Sequence, residues 1–321
     1  MKTIRRIKTF AILLLCSAAL LSITAIAVYY NTYTTVATIP NGNSCNRAQG
    51  FAVGSTYVYT AKCNDDESNQ VIYRTKLSDG STTLMSNGDN SSTYTTHLGH
   101  ANDMDTCTIN ENYHLFVATM KTGSESLVKL QYSGTTYTQL GGFELRYNNS
   151  DIAISGVKKY AKDSSYIYFL FFEYEGSDND VTVYRGKVPL TANSGTIDVT
   201  YAFQINITDV LVNGQTVSGM NNFSRQGIGY IASSDQLLIP LTNQNVSIIL
   251  VYNNASIATG TITADANLSF RITSSSYPTL FEIEGCDDTN GKLYFNCNRK
   301  ANSSDISHDA VCYFNDFTIG S

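Results

Sequence analysis

Gln49-Gly50-Phe51-Ala52-Val53, followed by Tyr57-Val58-Tyr59, is a phrase that returns four more times along this 321-residue chain. His100-Ala101 stands before His114-Leu115-Phe116-Val117, and Ser155-Gly156 before Tyr166-Ile167-Tyr168-Phe169. Gln226-Gly227 precedes Leu237-Leu238-Ile239, and Glu284-Gly285 precedes Leu293-Tyr294-Phe295. Each is a polar residue, a small residue, a connector and an apolar strand. The small residues fall at positions 50, 101, 156, 227 and 285. That spacing of about fifty to seventy residues is close to one blade of a β-propeller. A small residue suits an axis where inner strands crowd together, and the polar residue beside it then points into a central channel.

A third strand follows each pair: Val71 to Leu77, Ser126 to Tyr132, Val181 to Val188, Val246 to Tyr252 and Ala310 to Phe317. These runs are rich in β-branched and aromatic residues and are bounded by Gly, Asn, Asp and Ser turns. Fourth strands fit at Thr82 to Met85, Thr138 to Leu140, Val199 to Ile205 and Leu268 to Thr273. The last repeat has no fourth strand, whereas Tyr33 to Ile39 has strand character and no repeat of its own. Supplying it as the outer strand of the last blade closes the ring and removes a sheet edge. The expectation is an all-β, five-bladed propeller closed by an N-terminal outer strand. A β-sandwich is the runner-up, and it does not explain the period.

The N-terminus reads Met1-Lys2-Thr3-Ile4-Arg5-Arg6-Ile7-Lys8, then runs apolar from Phe10 to Ala27. A basic start, an apolar core and Ala25-Ile26-Ala27 match an export signal over 1–27, cleaved before Val28. The alternative is an uncleaved anchor of residues 10–27, near the lower limit for crossing a bilayer. Residues 28–321 then form one domain outside the cytoplasm, since no Pro- or Ser-rich linker divides them and the repeats run almost to the end. The net charge of −6 argues against a nucleic-acid partner, which calls for a basic stripe. A membrane enters only through the N-terminal segment.

Apart from Cys16, six cysteines remain: Cys45, Cys63, Cys107, Cys286, Cys297 and Cys312. An even number in an exported chain permits disulfides, with the pairing open. Cys297 and Cys312 fall on neighbouring strands of the last blade and are the first pair expected to bridge. The alternative is that such residues are simply small and buried.

Gln49, His100, Ser155, Gln226 and Glu284 occupy equivalent places around the ring. Two amides, a hydroxyl, an imidazole and one carboxylate make a nearly neutral hydrogen-bonding collar, suited to a sugar or to an ordered water cluster. In the string Gly99-His100-Ala101-Asn102-Asp103-Met104, Asn102 and Asp103 join that collar. Their competing role is to bond backbone groups and pin the turn into the strand. Catalysis is the enzyme alternative, since glycoside hydrolysis needs two acids flanking the bond. The candidates are Asp103 and Glu284, with Asp105 and Asp287 nearby. A calcium site from Asn102, Asp103 and Glu284 is a further alternative. No Gly-x-Ser-x-Gly elbow, His-Glu-x-x-His or P-loop is present.

On Gln49 to Val53 with Tyr57-Val58-Tyr59, and on Gly99 to Met104, the chain resembles the helveticin J family. Those are exported proteins of Gram-positive bacteria, named for a large heat-labile bacteriocin. The likeness covers two phrases closely and the other repeats only by period, and the tract Asp105-Thr106-Cys107 departs from it. It implies an exported protein acting at a cell envelope, with a bacteriocin-like role. The functional expectation is a secreted protein that binds a cell-surface or cell-wall glycan. The alternative is a glycan-cleaving hydrolase working through the channel carboxylates.

Overall fold

Apolar and β-branched runs of five to ten residues pair here because each offers one or both faces to a neighbour, and the intervening turns carry the left-handed residues they need. The computed structural model describes residues 32–173, 180–207, 210–306 and 308–315. The proposed signal or anchor over 1–27 lies outside them, as does the end of the strand expected to reach Phe317. Among the described residues helix is confined to two short 3-10 turns, Gly123–Glu125 and Met220–Asn222.

The main strands form five antiparallel sheets of four or more strands. Sheet I runs Arg47–Val53, Tyr57–Cys63, Gln70–Lys76 and Thr82–Leu84 from inside out. Sheet II runs Asp103–Ile109, Asn112–Ala118, Leu127–Ser133 and Thr136–Tyr147. Sheet III runs Ile154–Lys162, Tyr166–Glu173, Asp180–Pro189 and Thr200–Asn206. In sheet IV the short strands Ser224–Arg225 and Gly229–Ile231 both pair with Gln236–Asn243, which continues to Val246–Asn253 and Phe270–Thr273. Sheet V runs Leu280–Thr289, Lys292–Lys300 and Ala310–Phe314, with Tyr33–Thr38 outermost.

Five apolar clusters fill the spaces between successive sheets. They lie between I and II around Tyr59 and Leu115, and between II and III around Phe116 and Phe169. Two more join III to IV around Phe203 and Leu250, and IV to V around Phe270 and Phe295. The last joins V back to I, with Tyr294 and Val311 against Phe51 and Val58. Each large side chain buried this way contributes about 1.5–3 kcal/mol. The inner strands also touch in the same cyclic order. The fold is all-β and propeller-like.

Tyr33–Thr38 pairs antiparallel with Ala310–Phe314, Tyr33 opposite Phe314 and Thr38 opposite Ala310. The Tyr33 ring lies 5.1 Å from that of Phe281, and its hydroxyl bonds Ser274. Three short parallel pairings lace neighbouring sheets and were not expected: Ser86–Asn87 and Gly195–Asp198 both join Thr136–Tyr147, and Thr261–Ile262 joins Thr200–Asn206.

The disulfide expected between Cys297 and Cys312 is not found: all six described cysteines are free and buried. They sit on adjacent strands but out of direct register, Cys297 opposite Ala310 and Cys312 opposite Phe295. The Cys297 thiol instead donates to Ala310 O and the Cys312 thiol to Thr35 Oγ1. These are small residues of the core.

Candidate functional site

In three of the five sheets the recurring phrase coincides with a slip of register in the innermost strand. In sheet I the register slips between Ala48 and Phe51, in sheet III between Ile154 and Gly156, and in sheet V between Ile283 and Gly285. In sheet IV, Gln226-Gly227 falls in the gap between Arg225 and Gly229; in sheet II, His100-Ala101 lies just before Asp103. A bulge bends its strand and re-aims the extra side chain, and here it also lets neighbouring strands meet at the axis. The Gly50 N–H donates to Ala101 O at 2.7 Å, and the Gly227 N–H to Glu284 O at 2.8 Å. A Cβ on Gly50 would lie 2.5 Å from Ala101 O, and one on Gly227 2.9 Å from Glu284 O. Only glycine fits there.

Asp103 lies at the centre of this crowding, with no exposed surface. Its carboxylate accepts from the Val157 N–H at 2.9 Å and the Ile228 N–H at 3.4 Å, and pairs with Lys158 Nζ at 3.0 Å. The buried Lys158 also donates to Phe51 O and Met104 O and lies 3.8 Å from Asp287. Two side chains thereby tie together all five sheets. Burial raises the Asp103 carboxyl to about 7, with Lys158 and the Val157 N–H holding it back. Burial opposes charge on Lys158, but Asp103, Asp287 and Asp105 outweigh it and hold the ammonium above its ordinary value. Asn102 donates to Ser155 O at 2.7 Å. Asn102 and Asp103 here act as ties between sheets, whereas the competing role expected for them was to pin the local turn into its own strand.

The other collar residues divide. His100 turns to the rim, where Nδ1 meets Glu67 Oε1 at 2.8 Å, and Ser155 Oγ donates to Glu173 O. Gln226, Glu284 and Gln49 stay near the axis, each under a tenth exposed. They are joined by two residues that sequence reading missed, Glu282 and Asn298. Gln226 donates to Glu282 at 2.8 Å, and the Asn298 amide donates to both Glu282 and Glu284. Gln49 Oε1 and Glu284 Oε2 are buried without a partner. Burial first, and then the Glu282 and Asp309 carboxylates, hold the Glu284 carboxyl well above the usual range. Glu284 therefore favours its protonated form while Glu282 beside it accepts two amides. Among the described residues no three His, Cys, Asp or Glu side chains converge as a metal site would. The Asn102 amide and both Asp103 oxygens are engaged by protein groups.

The opposite end of the inner strands carries an open cleft of about 410 Å³ between sheets I and II. Tyr57, Tyr59 and Arg74 line it from sheet I, Thr106, Thr108, Tyr113 and Tyr132 from sheet II, and Lys159 and Thr289 from sheets III and V. The Tyr113 and Tyr132 rings stack at 5.6 Å and 20°, and Tyr59 lies 4.7 Å from Tyr132. Tyr113 is 55% exposed, so one aromatic face is presented to solvent. Arg74 Cζ sits 4.2 Å over the Tyr57 ring and its Nη1 donates to Gly134 O. Burial pushes the Tyr59 and Tyr132 hydroxyls up, keeping them neutral donors. No signal in the sequence marks this cleft, because its walls come from residues about fifty positions apart on strand ends.

No family model matches the chain, and no curated protein matches it in sequence. Solved structures of similar shape include glycoside hydrolases. An exo-beta-1,3-galactanase from Phanerochaete chrysosporium is 12% identical with a TM-score of 0.44, over 89% of this chain and 63% of that one. The chain thus spans less than two thirds of the galactanase. A thermostable family-43 glycoside hydrolase gives 10% identity and a TM-score of 0.49, over 88% and 96%. Zg3597, a family 117 glycoside hydrolase of Zobellia galactanivorans, gives 8% and 0.44, over 90% and 91%.

Proposed function

We propose that this is an exported carbohydrate-binding protein whose glycan seat is the tyrosine cleft. The observation that carries the reading is Tyr113, exposed and stacked on Tyr132 at the cleft mouth. A pyranose ring has an apolar C–H face that packs on such a platform, and its hydroxyls match a rim of threonines and tyrosines. Binding is favoured over cleavage because no Asp or Glu lines the cleft. The finer architecture that goes with the reading is a ring of five blades closed by Tyr33–Thr38. Its support is the cyclic order of the five apolar clusters and the pairing of that strand with Ala310–Phe314. Export rests on residues 1–27, and action on a cell-surface or wall glycan, bacteriocin-like in outcome, rests on the helveticin J likeness.

One observation favours a second reading, a glycan-cleaving hydrolase. Glu284 prefers its proton and lies beside the Glu282 carboxyl, and a protonated acid next to a second carboxyl is the arrangement of a general acid and its partner. Against it, Glu284 is 1% exposed.

A glycan array probed with the wild type and with Tyr113→Ala tests the main reading. The wild type should give discrete hits and the variant should lose them while melting within about 0.5 kcal/mol of it, since the side chain is exposed. Hits unchanged by Tyr113→Ala contradict the cleft as the seat. Glycan hydrolysis abolished by Glu284→Gln establishes the second reading instead.

A further inference from the structure

The two basic residues of the cleft bear on what kind of glycan it takes. Its lining holds Arg74 and Lys159 and no carboxylate, in a chain of net charge −6. Two acids adjoin lining residues in sequence: Asp105 is 6% exposed and accepts the Thr106 and Lys159 N–H groups, and Asp288, beside Thr289, is partly buried. Nor are the two cations spent on a protein anion. Arg74 gives one N–H to the Gly134 carbonyl, and its Nε is buried with no acceptor. Lys159 Nζ gives one hydrogen to Thr106 O at 3.0 Å, out of the three an ammonium carries. Stacking over Tyr57 and the tie to Gly134 hold the guanidinium in one orientation, so its planar fork is set before a ligand arrives.

Resting on the cleft as the glycan seat, we infer that it selects an acidic saccharide, with the anionic group held by Arg74 and Lys159 while the ring packs against Tyr113. The shared chemistry is a sugar-borne carboxylate or phosphate. Both accept paired N–H bonds from guanidinium, and such charge-assisted bonds are roughly twice as strong as neutral ones. Cations that face no protein anion in the cleft gain an opposite charge on binding an acidic sugar, which the hydroxyls of a neutral sugar do not supply.

Calorimetric titration of the full chain with tetragalacturonic acid, its methyl ester, mannose 6-phosphate and mannose tests this. At least one acid should bind about tenfold or more tightly than its neutral counterpart, the value of one charge-assisted hydrogen bond. Preference for the galacturonate identifies the carboxylate, and preference for mannose 6-phosphate the phosphate. Raising the salt should erode the preference without changing the neutral affinity. Lys159→Gln should shrink it as well, as should Arg74→Gln if that variant melts normally. Equal affinity for each acid and its neutral partner overturns the acidic selectivity while leaving the cleft as the seat. Failure of every saccharide to bind, or binding indifferent to Tyr113→Ala, overturns both.

Discussion

Asp103 and Glu284 were candidates for one collar, and their surroundings give them opposite characters. Asp103 receives two backbone N–H groups and a buried ammonium, so its charge serves the fold. Asp103→Asn leaves Lys158 buried with its nearest carboxylate, Asp287, at 3.8 Å. Urea unfolding should show a loss of about 3–5 kcal/mol, the usual result of removing one partner of a buried pair. A variant as stable as the wild type would contradict its role as a tie. Glu284 has no ion pair among the described residues, Arg47 only weakly opposing its raised pKa, and it keeps an unpartnered oxygen. Its pKa is raised in the folded protein, so folding favours the proton. The stability from that preference is complete below the unfolded value of about 4.3 and is lost as pH rises through the folded value. Glu284→Gln holds a neutral side chain at every pH. Relative to wild type it should therefore gain stability between pH 5 and pH 8, and parallel denaturation midpoints across that range would refute the assignment. The sequence shows that both acids follow the repeat. It does not show that Lys158 reaches Asp103, because that contact crosses between sheets, nor that Glu282 bears on Glu284, because a register slip at Glu284 interrupts the strand they share.

Strands were the most legible elements. The third strand of sheet I, expected at Val71 to Leu77, is Gln70–Lys76, and that of sheet IV, expected at Val246 to Tyr252, is Val246–Asn253. Long β-branched runs bounded by turn residues leave little freedom. The lacing strands Ser86–Asn87 and Thr261–Ile262 have two residues each, too few for any periodicity, and their pairing depends on where the neighbouring sheet lies. The polar-small phrase was visible as a repeat, but its nature as a bulge was not, since a bulge is a property of two strands together. At the outer edge, Tyr33–Thr38 covers Ala310–Phe314, and Ile39 is 2% exposed. A chain beginning at Asn43 uncovers that strand edge and the aromatic surface under Tyr33. It should lose about 3 kcal/mol of stability, taking one to two buried side chains as the measure. An unchanged urea midpoint would show that the strand is dispensable.

On the scale of the whole molecule, the five inner strands meet so closely that their axis is packed rather than hollow. Gly50 and Gly227 touch neighbouring backbone, and Asp103 and Lys158 fill the centre. This separates two ends of different chemistry. The end where the inner strands begin holds amides and the buried Glu282–Glu284 pair; the other end opens into tyrosines with two cations. The sequence drew attention to the first end because its residues recur in register with the period. The cleft has no such rhythm, as each sheet contributes different side chains at its strand ends. Hydrogen–deuterium exchange of the free protein and of its complex with a saccharide from the array compares the two ends directly. The account predicts that added protection falls on residues 53–59, 106–113 and 132–134. Protection confined to 47–50, 100–102, 226–227 and 282–284 would place the ligand at the polar end and contradict it.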